Sequence, residues 1–128
     1  MNVLIDTHSF LWFINGDKQL SAKAKKVIID AQTINFISIV SLWEIAIKVS
    51  IGKLKLDFPF SDLWKDIQAN GFEILPIEFD HLQQLLILDF HHRDPFDRII
   101  IAQAYSEHMP IITRDANFNR YSQLQVLW

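Results

Sequence analysis

The chain has 128 residues, 50% of them hydrophobic and 21% charged, with 3 Gly, 4 Pro and no Cys. That length predicts one domain over residues 1–128 with a real hydrophobic core, and the composition excludes a disordered or collagen-like chain, disulfides, thiolate zinc sites and a cysteine nucleophile. The net charge of −3 excludes whole-surface attraction to nucleic acid and leaves only a local basic rim for that purpose.

Residues 2–6 (NVLID) are a compact apolar run closed by an acid, which predicts a buried strand. No basic segment precedes it and Asp6 interrupts it early, so no signal peptide is expected. The longest apolar stretch, 34–47, contains Glu44 and is too short to span a bilayer. A cytoplasmic protein without membrane contact is the expectation.

An aromatic-rich helix over 8–14 comes next, then a helix over 21–31 that Ser21 starts and in which Ala24, Val27, Ile28 and Ala31 share a face. Residues 34–39 (INFISI) read as a second strand, and Ser41 as the start of a helix to Ile51 that Gly52 ends. Residues 53–60 read as a loop, and Ser61 as the cap of a helix to Asn70. A short strand over 73–77 is limited by Pro76, and Asp80 is expected to cap a helix with Leu82, Leu85 and Leu86 on one face. The end of the chain reads as a helix over 95–107, a strand over 110–113 and a last strand near 124–127.

Strands alternating with helices predict an α/β fold: a mainly parallel sheet with helices on both faces. Ligands in such sheets sit beyond the carboxyl ends of the strands. Acids collect there. Asp6 ends the first strand, Glu44 follows the second, Asp94 and Asp97 bracket a helix start, and Asp115 follows the PIIT strand. Each has a bland explanation: Asp6 and Asp115 as caps or turn formers, Glu44 as the acid of a capping box with Ser41, Asp94 and Asp97 as N-cap and N3 around Pro95. Their convergence from distant segments is what points beyond capping. Packed carboxylates repel, and an oxygen-only set suits Mg2+ or Mn2+, which would serve hydrolysis of a phosphodiester.

Four blocks then carry a resemblance: LIDTHSFLW at 4–12, SLWEIAIK at 41–48, HRDPFDRIIIAQA at 92–104 and IITRDANFNRY at 111–121. In this order and spacing the chain resembles a PIN-domain ribonuclease of the VapC toxin type, from bacterial toxin–antitoxin pairs. The resemblance implies a PIN-like three-layer fold and metal-dependent hydrolysis of RNA. Its metal-binding, catalytic acids fall on Asp6, Glu44, Asp97 and Asp115, and its site hydroxyl on Thr113. Asp94 ranks below Asp97 because capping accounts for it, though it can still bind through water, and Arg114 is a lower-ranked site residue. Asn117 and Asn119 stand where many relatives keep a further acid, which leaves a second metal position short of a carboxylate.

Asp6 and Asp97 are expected to hold the cation, with Asp115 completing the site and Glu44 orienting the attacking water or a second ion. The implied partners are RNA, an antitoxin, a second copy of the chain, and DNA only through the antitoxin. An antitoxin that placed an Arg among the acids would switch the enzyme off.

The remaining polar residues have competing readings. Arg93, Arg98, Arg114 and Arg120 can hold phosphates or pair with nearby acids, the second being favoured for Arg98. Lys48, Lys53 and Lys55 can track RNA or lie in solvent. His8, His91 and His92 can pass for general acids or zinc ligands but show no zinc spacing, and His8 reads as a helix-start or pocket-rim residue. Trp12, Phe13, Trp43, Trp64 and Trp128 are assigned to the core, with some apolar surface near the first helix and the 41–51 helix left for a partner. Two alternatives stand beside the nuclease: a non-catalytic PIN-like binding module, and a haloacid-dehalogenase-type phosphatase. The second would want Asp at position 8, where this chain has His.

Overall fold

The computed structural model describes residues Met1–Trp128. In chain order the elements are β1 (Asn2–Ile5), α1 (Thr7–Asn15), α2 (Ala22–Ile29), β2 (Ile34–Ser38), α3 (Ile39–Ser50), α4 (Asp62–Ala69) and β3 (Glu73–Leu75). They continue with α5 (Phe79–Ile87), α6 (Pro95–Glu107), β4 (Ile111–Ile112), a 3-10 turn (Ala116–Arg120) and β5 (Val126–Leu127). No helix is long and apolar enough to cross a membrane.

The five strands form one sheet in the order β3-β2-β1-β4-β5, and every pairing is parallel. Alternation along the strands builds two cores. Val3, Ile5, Ile37 and Ile112 face a cluster with Phe10 of α1, Ala24 and Ile28 of α2, Ile45 of α3, and Leu63 and Ile67 of α4. Leu4 and Ile111 face the other cluster, with Ile99, Ile100, Ile101 and Ala104 of α6 and Phe118 of the 3-10 turn. This is a three-layer arrangement, helices on both faces of a buried sheet. Chain order reverses direction across β1 and β4, so the crevice expected at such a switch point opens where these two strands end.

The structure corrects several local expectations. α3 begins at Ile39, two residues before the predicted start, because Ser38 rather than Ser41 is its cap. The β-branched Ile39 reads as the end of the strand but forms, with Val40, the first helical turn, a case of tertiary packing overriding propensity. Glu44 therefore lies in the second turn, and the Ser41–Glu44 capping box does not exist. α5 is capped by Glu78, in a reciprocal box with His81, and Asp80 lies inside the helix. Leu82 and Leu86 of that helix are exposed, whereas His81 is fully buried. Its Nδ1 accepts from the Glu78 N–H at 2.9 Å and its Nε2 meets Glu107 at 2.9 Å, tying α5 to the end of α6. Trp43 and Trp64 are more than half exposed, against the core assignment.

Ser38 connects the layers at a single atom. Its buried hydroxyl donates to Gln103 Oε1 of α6 at 2.6 Å and accepts from the Val40 N–H at 3.1 Å, while Gln103 Nε2 donates to the Pro76 carbonyl at 3.1 Å. Ser38→Ala removes the helix cap and orphans a buried amide oxygen, at an expected cost of about 2 kcal/mol. A urea titration should show a lower midpoint with an unchanged slope, and an unchanged midpoint would contradict this account.

Candidate metal centre

Asp6 is the residue after β1 and Thr113 the residue after β4. The pairing of Ile5 with Ile112 extends by one position and sets them side by side. Thr113 Oγ1 donates to Asp6 Oδ2 at 2.6 Å, and the same hydroxyl accepts from the Asp115 N–H at 3.0 Å. Asp6 Oδ1 accepts from the Ser9 N–H at 2.9 Å, which caps α1. Asp115 Oδ1 accepts from the Asn117 N–H at 2.9 Å and opens the 3-10 turn. Asp94 Oδ1 accepts from the Asp97 N–H at 3.0 Å, with Pro95 at the first helical position. Capping is thus real for Asp6, Asp94 and Asp115. It occupies Oδ1 in each.

Asp97, in the first turn of α6, approaches from the other side. Its carboxyl is pushed up from 3.8 to about 7, first by burial and then by the charges of Asp94, Glu44 and Asp6, with His92 pulling the other way. Asp6 is also held above the ordinary carboxylate range, because desolvation outweighs its hydrogen bonds from Ser9 and Thr113. Glu44 is buried but compensated. Lys48 Nζ lies 2.6 Å from its Oε2, and Thr7 Oγ1 donates to its Oε1 at 2.8 Å while standing 2.9 Å from Ser41 Oγ. Lys48 is therefore Glu44's counter-charge, whereas Lys53 and Lys55 are exposed in the loop after α3.

His92 is the member of the cluster that its spacing in the sequence did not reveal. Its Nε2 lies 2.9 Å from Asp97 Oδ2 and 3.3 Å from Asp115 Oδ2, the three ligand atoms falling within 4.8 Å of one another. Despite these close approaches, this buried nitrogen makes no hydrogen bond. The only local signal was adjacency to Asp94 and Asp97. The contact itself joins a loop to residues on two other elements.

Arg98 also departs from expectation. It does not pair with acids but donates to the carbonyls of Asp89 at 3.0 Å and of Leu88 and His92 at 3.4 Å, and it lies 4.1 Å over the Phe90 ring. Arg120 donates to the His91 carbonyl at 3.1 Å, and Arg93 is exposed. Arg114 projects at the mouth of a cleft of about 230 Å3 lined by Asp6, His8, Trp12 and Asp115, its guanidinium 4.7 Å over the Trp12 ring. His8 stands on that rim as predicted, exposed and 5.9 Å from the same ring.

A hard divalent cation fits this donor set. No Lys or Arg lies within ion-pair distance of Asp6, Asp97 or Asp115. Each carboxylate keeps uncommitted lone pairs, and the hydrogen-bond-free His92 nitrogen sits among them. Without a cation the cluster destabilises the fold as it ionises. The raised carboxyl of Asp97 gives a contribution that is fully present below about pH 4 and lost as pH rises toward 7. Metal-free Asp97→Asn should therefore be more stable than the parent at pH 8, by on the order of 1–3 kcal/mol, with the gap closing near pH 4. Thermal unfolding at both values checks this, and equal Tm values at pH 8 would contradict it.

The family model described as PIN domain matches residues 3–124. No curated protein gives a significant sequence match. Among solved structures, a chain of VapBC2 from Rickettsia felis, bound to a DNA fragment from its promoter, superposes with TM-score 0.74 at 18% identity, covering 98% of this chain and 97% of that one. A chain of a toxin–antitoxin complex from Klebsiella pneumoniae gives TM-score 0.65 at 19% identity, with 95% and 94% covered. FitAcB from Neisseria gonorrhoeae gives 0.64 at 15% identity, with 98% and 96% covered. At such identities the likeness is one of fold. The match of the family model over nearly the whole chain removes the haloacid-dehalogenase-type alternative: this chain belongs to the PIN domain family.

Proposed function

We propose that this chain is an endoribonuclease that uses Mg2+ or Mn2+ to hydrolyse RNA phosphodiesters and serves as the toxin of a toxin–antitoxin pair. One observation carries the reading. Asp6, Glu44, Asp97 and Asp115 come from four separate segments to the switch point of a parallel sheet, and three of them have no Lys or Arg partner. A scaffold that only bound a partner would have no use for that repulsion. Membership in the PIN domain family, generally nucleases, supports the same conclusion, as do fold neighbours that are toxin–antitoxin complexes.

Asp6, Asp97 and Asp115 would hold the cation. When bound, it supplies activation of water and neutralises charge that develops on the phosphate oxygens. Thr113 fixes Asp6 relative to Asp115 through its single hydroxyl, so the two carboxylates present their Oδ2 atoms from a rigid strand edge. Glu44, held by Thr7 and Lys48, adds negative potential to the wall beside Asp97 and orients polar groups there. Asp94 keeps its first oxygen on the Asp97 N–H and acts by positioning that turn. Arg114 at the rim offers a guanidinium to a backbone phosphate. An antitoxin chain and a second copy of this chain are the proposed protein partners, with DNA reached only through the antitoxin. Exposed apolar side chains are available for them on α3 (Ile39, Trp43) and, beyond expectation, on α5 (Phe79, Leu82, Leu86, Ile87).

Purified protein should cut a mixed RNA pool with added Mg2+ or Mn2+ and stop with EDTA. Asp6→Asn, Asp97→Asn should lower the rate at least roughly 100-fold, equivalent to about 2.7 kcal/mol of barrier. Because a proton and the cation compete for Asp97, metal affinity should rise with pH up to about 7 and then level. Cutting that survives EDTA or the double variant would overturn the proposal.

A further inference from the structure

We propose that His92 is itself a ligand of the cation, through Nε2, and that this nitrogen tilts the site toward Mn2+ over Mg2+. The inference rests on the metal-site reading above and extends it to a residue that the carboxylate pattern does not include.

Three observations carry it. The first is spacing. In an octahedral site with bonds of about 2.1 Å, adjacent ligand atoms stand roughly 3 Å apart. The separations from His92 Nε2 to Asp97 Oδ2 and Asp115 Oδ2, 2.9 and 3.3 Å, bracket that edge. The second is the condition of the nitrogen. It is buried against two carboxylate oxygens without a directed hydrogen bond, an arrangement that costs free energy unless something else engages it. The third is that the loop is built to hold it. The His92 N–H donates to Tyr121 Oη at 3.1 Å, its carbonyl accepts from Arg98 at 3.4 Å, and its ring packs edge-on against the buried Phe118 with centroids 5.8 Å apart.

Ligation through Nε2 requires its lone pair, hence a proton on Nδ1. Only a long 3.4 Å contact from the Asp94 N–H meets Nδ1, so the change of tautomer gives up little. The selectivity follows from ligand chemistry. Mg2+ is dehydrated reluctantly and prefers oxygen, whereas the transition ion Mn2+ accepts imidazole nitrogen at smaller loss.

The test uses the full chain loaded with Mn2+ alone. Electron spin-echo modulation should show 14N coupling to the ion, replaced by the 15N pattern when histidine is 15N-labelled. The coupling should vanish in His92→Gln and persist in His8→Ala, the histidine that lines the cleft beside Asp6 and Asp115. Calorimetry should show His92→Gln weakening Mn2+ binding about tenfold or more while changing Mg2+ binding less than about threefold. Bound Mn2+ without nitrogen coupling in the parent protein overturns ligation by His92 and leaves the carboxylate site standing. Equal weakening for both ions overturns the selectivity. Absence of binding by either ion overturns the metal-site reading and this inference with it.

Discussion

The structure depends on keeping like charges together at the end of a buried sheet. Asp6 lies at the carboxyl end of a central strand, almost without solvent, and Asp97 is desolvated beside three other acids. Nothing about the apolar cores requires this, and Coulomb repulsion in a poorly solvated crevice opposes it. What holds the acids in place is a set of fixed dipoles. The N–H groups of Ser9, Asn117 and Asp97 point at Asp6, Asp115 and Asp94, and the Thr113 hydroxyl spans the gap between β1 and β4. Helix starts are electropositive, so these contacts soften the repulsion without supplying a full counter-charge. The residual imbalance is what a cation answers.

Capping and metal binding, which compete as explanations of an acid in a sequence, are not alternatives in the folded chain. In Asp6 and Asp115 one oxygen takes the helix N–H and the other looks into the cluster. The cap fixes the rotamer, and the rotamer aims the second oxygen, which in Asp6 also accepts from Thr113. Asp94 shows the limiting case, where capping accounts for the residue and its further effect passes through Asp97. Glu44 shows the opposite one. It caps nothing, and its burial is compensated by Lys48 one helical turn away.

What was legible in the sequence follows the range of the interactions. The start of α6 was read to the residue because Asp94, Pro95 and Asp97 encode it within four positions. The sheet with helices on both faces and the convergence of the acids followed from alternation and the strand-end rule, both carried by local patterns. Signals that need the tertiary structure were not legible. Ile39 looks like the end of a strand until Ser38, held by a hydrogen bond to α6, is seen capping the helix that Ile39 begins. Trp43 and Trp64 look like core because hydropathy cannot say that other side chains fill it first. His92 looks idle because its partners lie on α6 and after β4.

The 88–94 segment shows how irregular backbone can be made rigid enough to carry site chemistry. It joins α5 to α6 with no ladder of its own, so its carbonyls need outside partners. Arg98 reaches back from α6 to three of them, Arg120 takes a fourth, and Tyr121 donates to Asp89 while accepting from His92. A guanidinium suits this task because its planar fork serves several carbonyls at once, which an ammonium point charge does not. Acids placed near Arg98 would have drawn it away from the backbone. The one buried guanidinium of the chain is spent on loop geometry and leaves the cluster unneutralised, and one of its bonds holds the backbone carbonyl of His92. The order of this loop follows from the placement of Arg98, and the electrostatic tension at the sheet edge persists because no second guanidinium pairs with the acids.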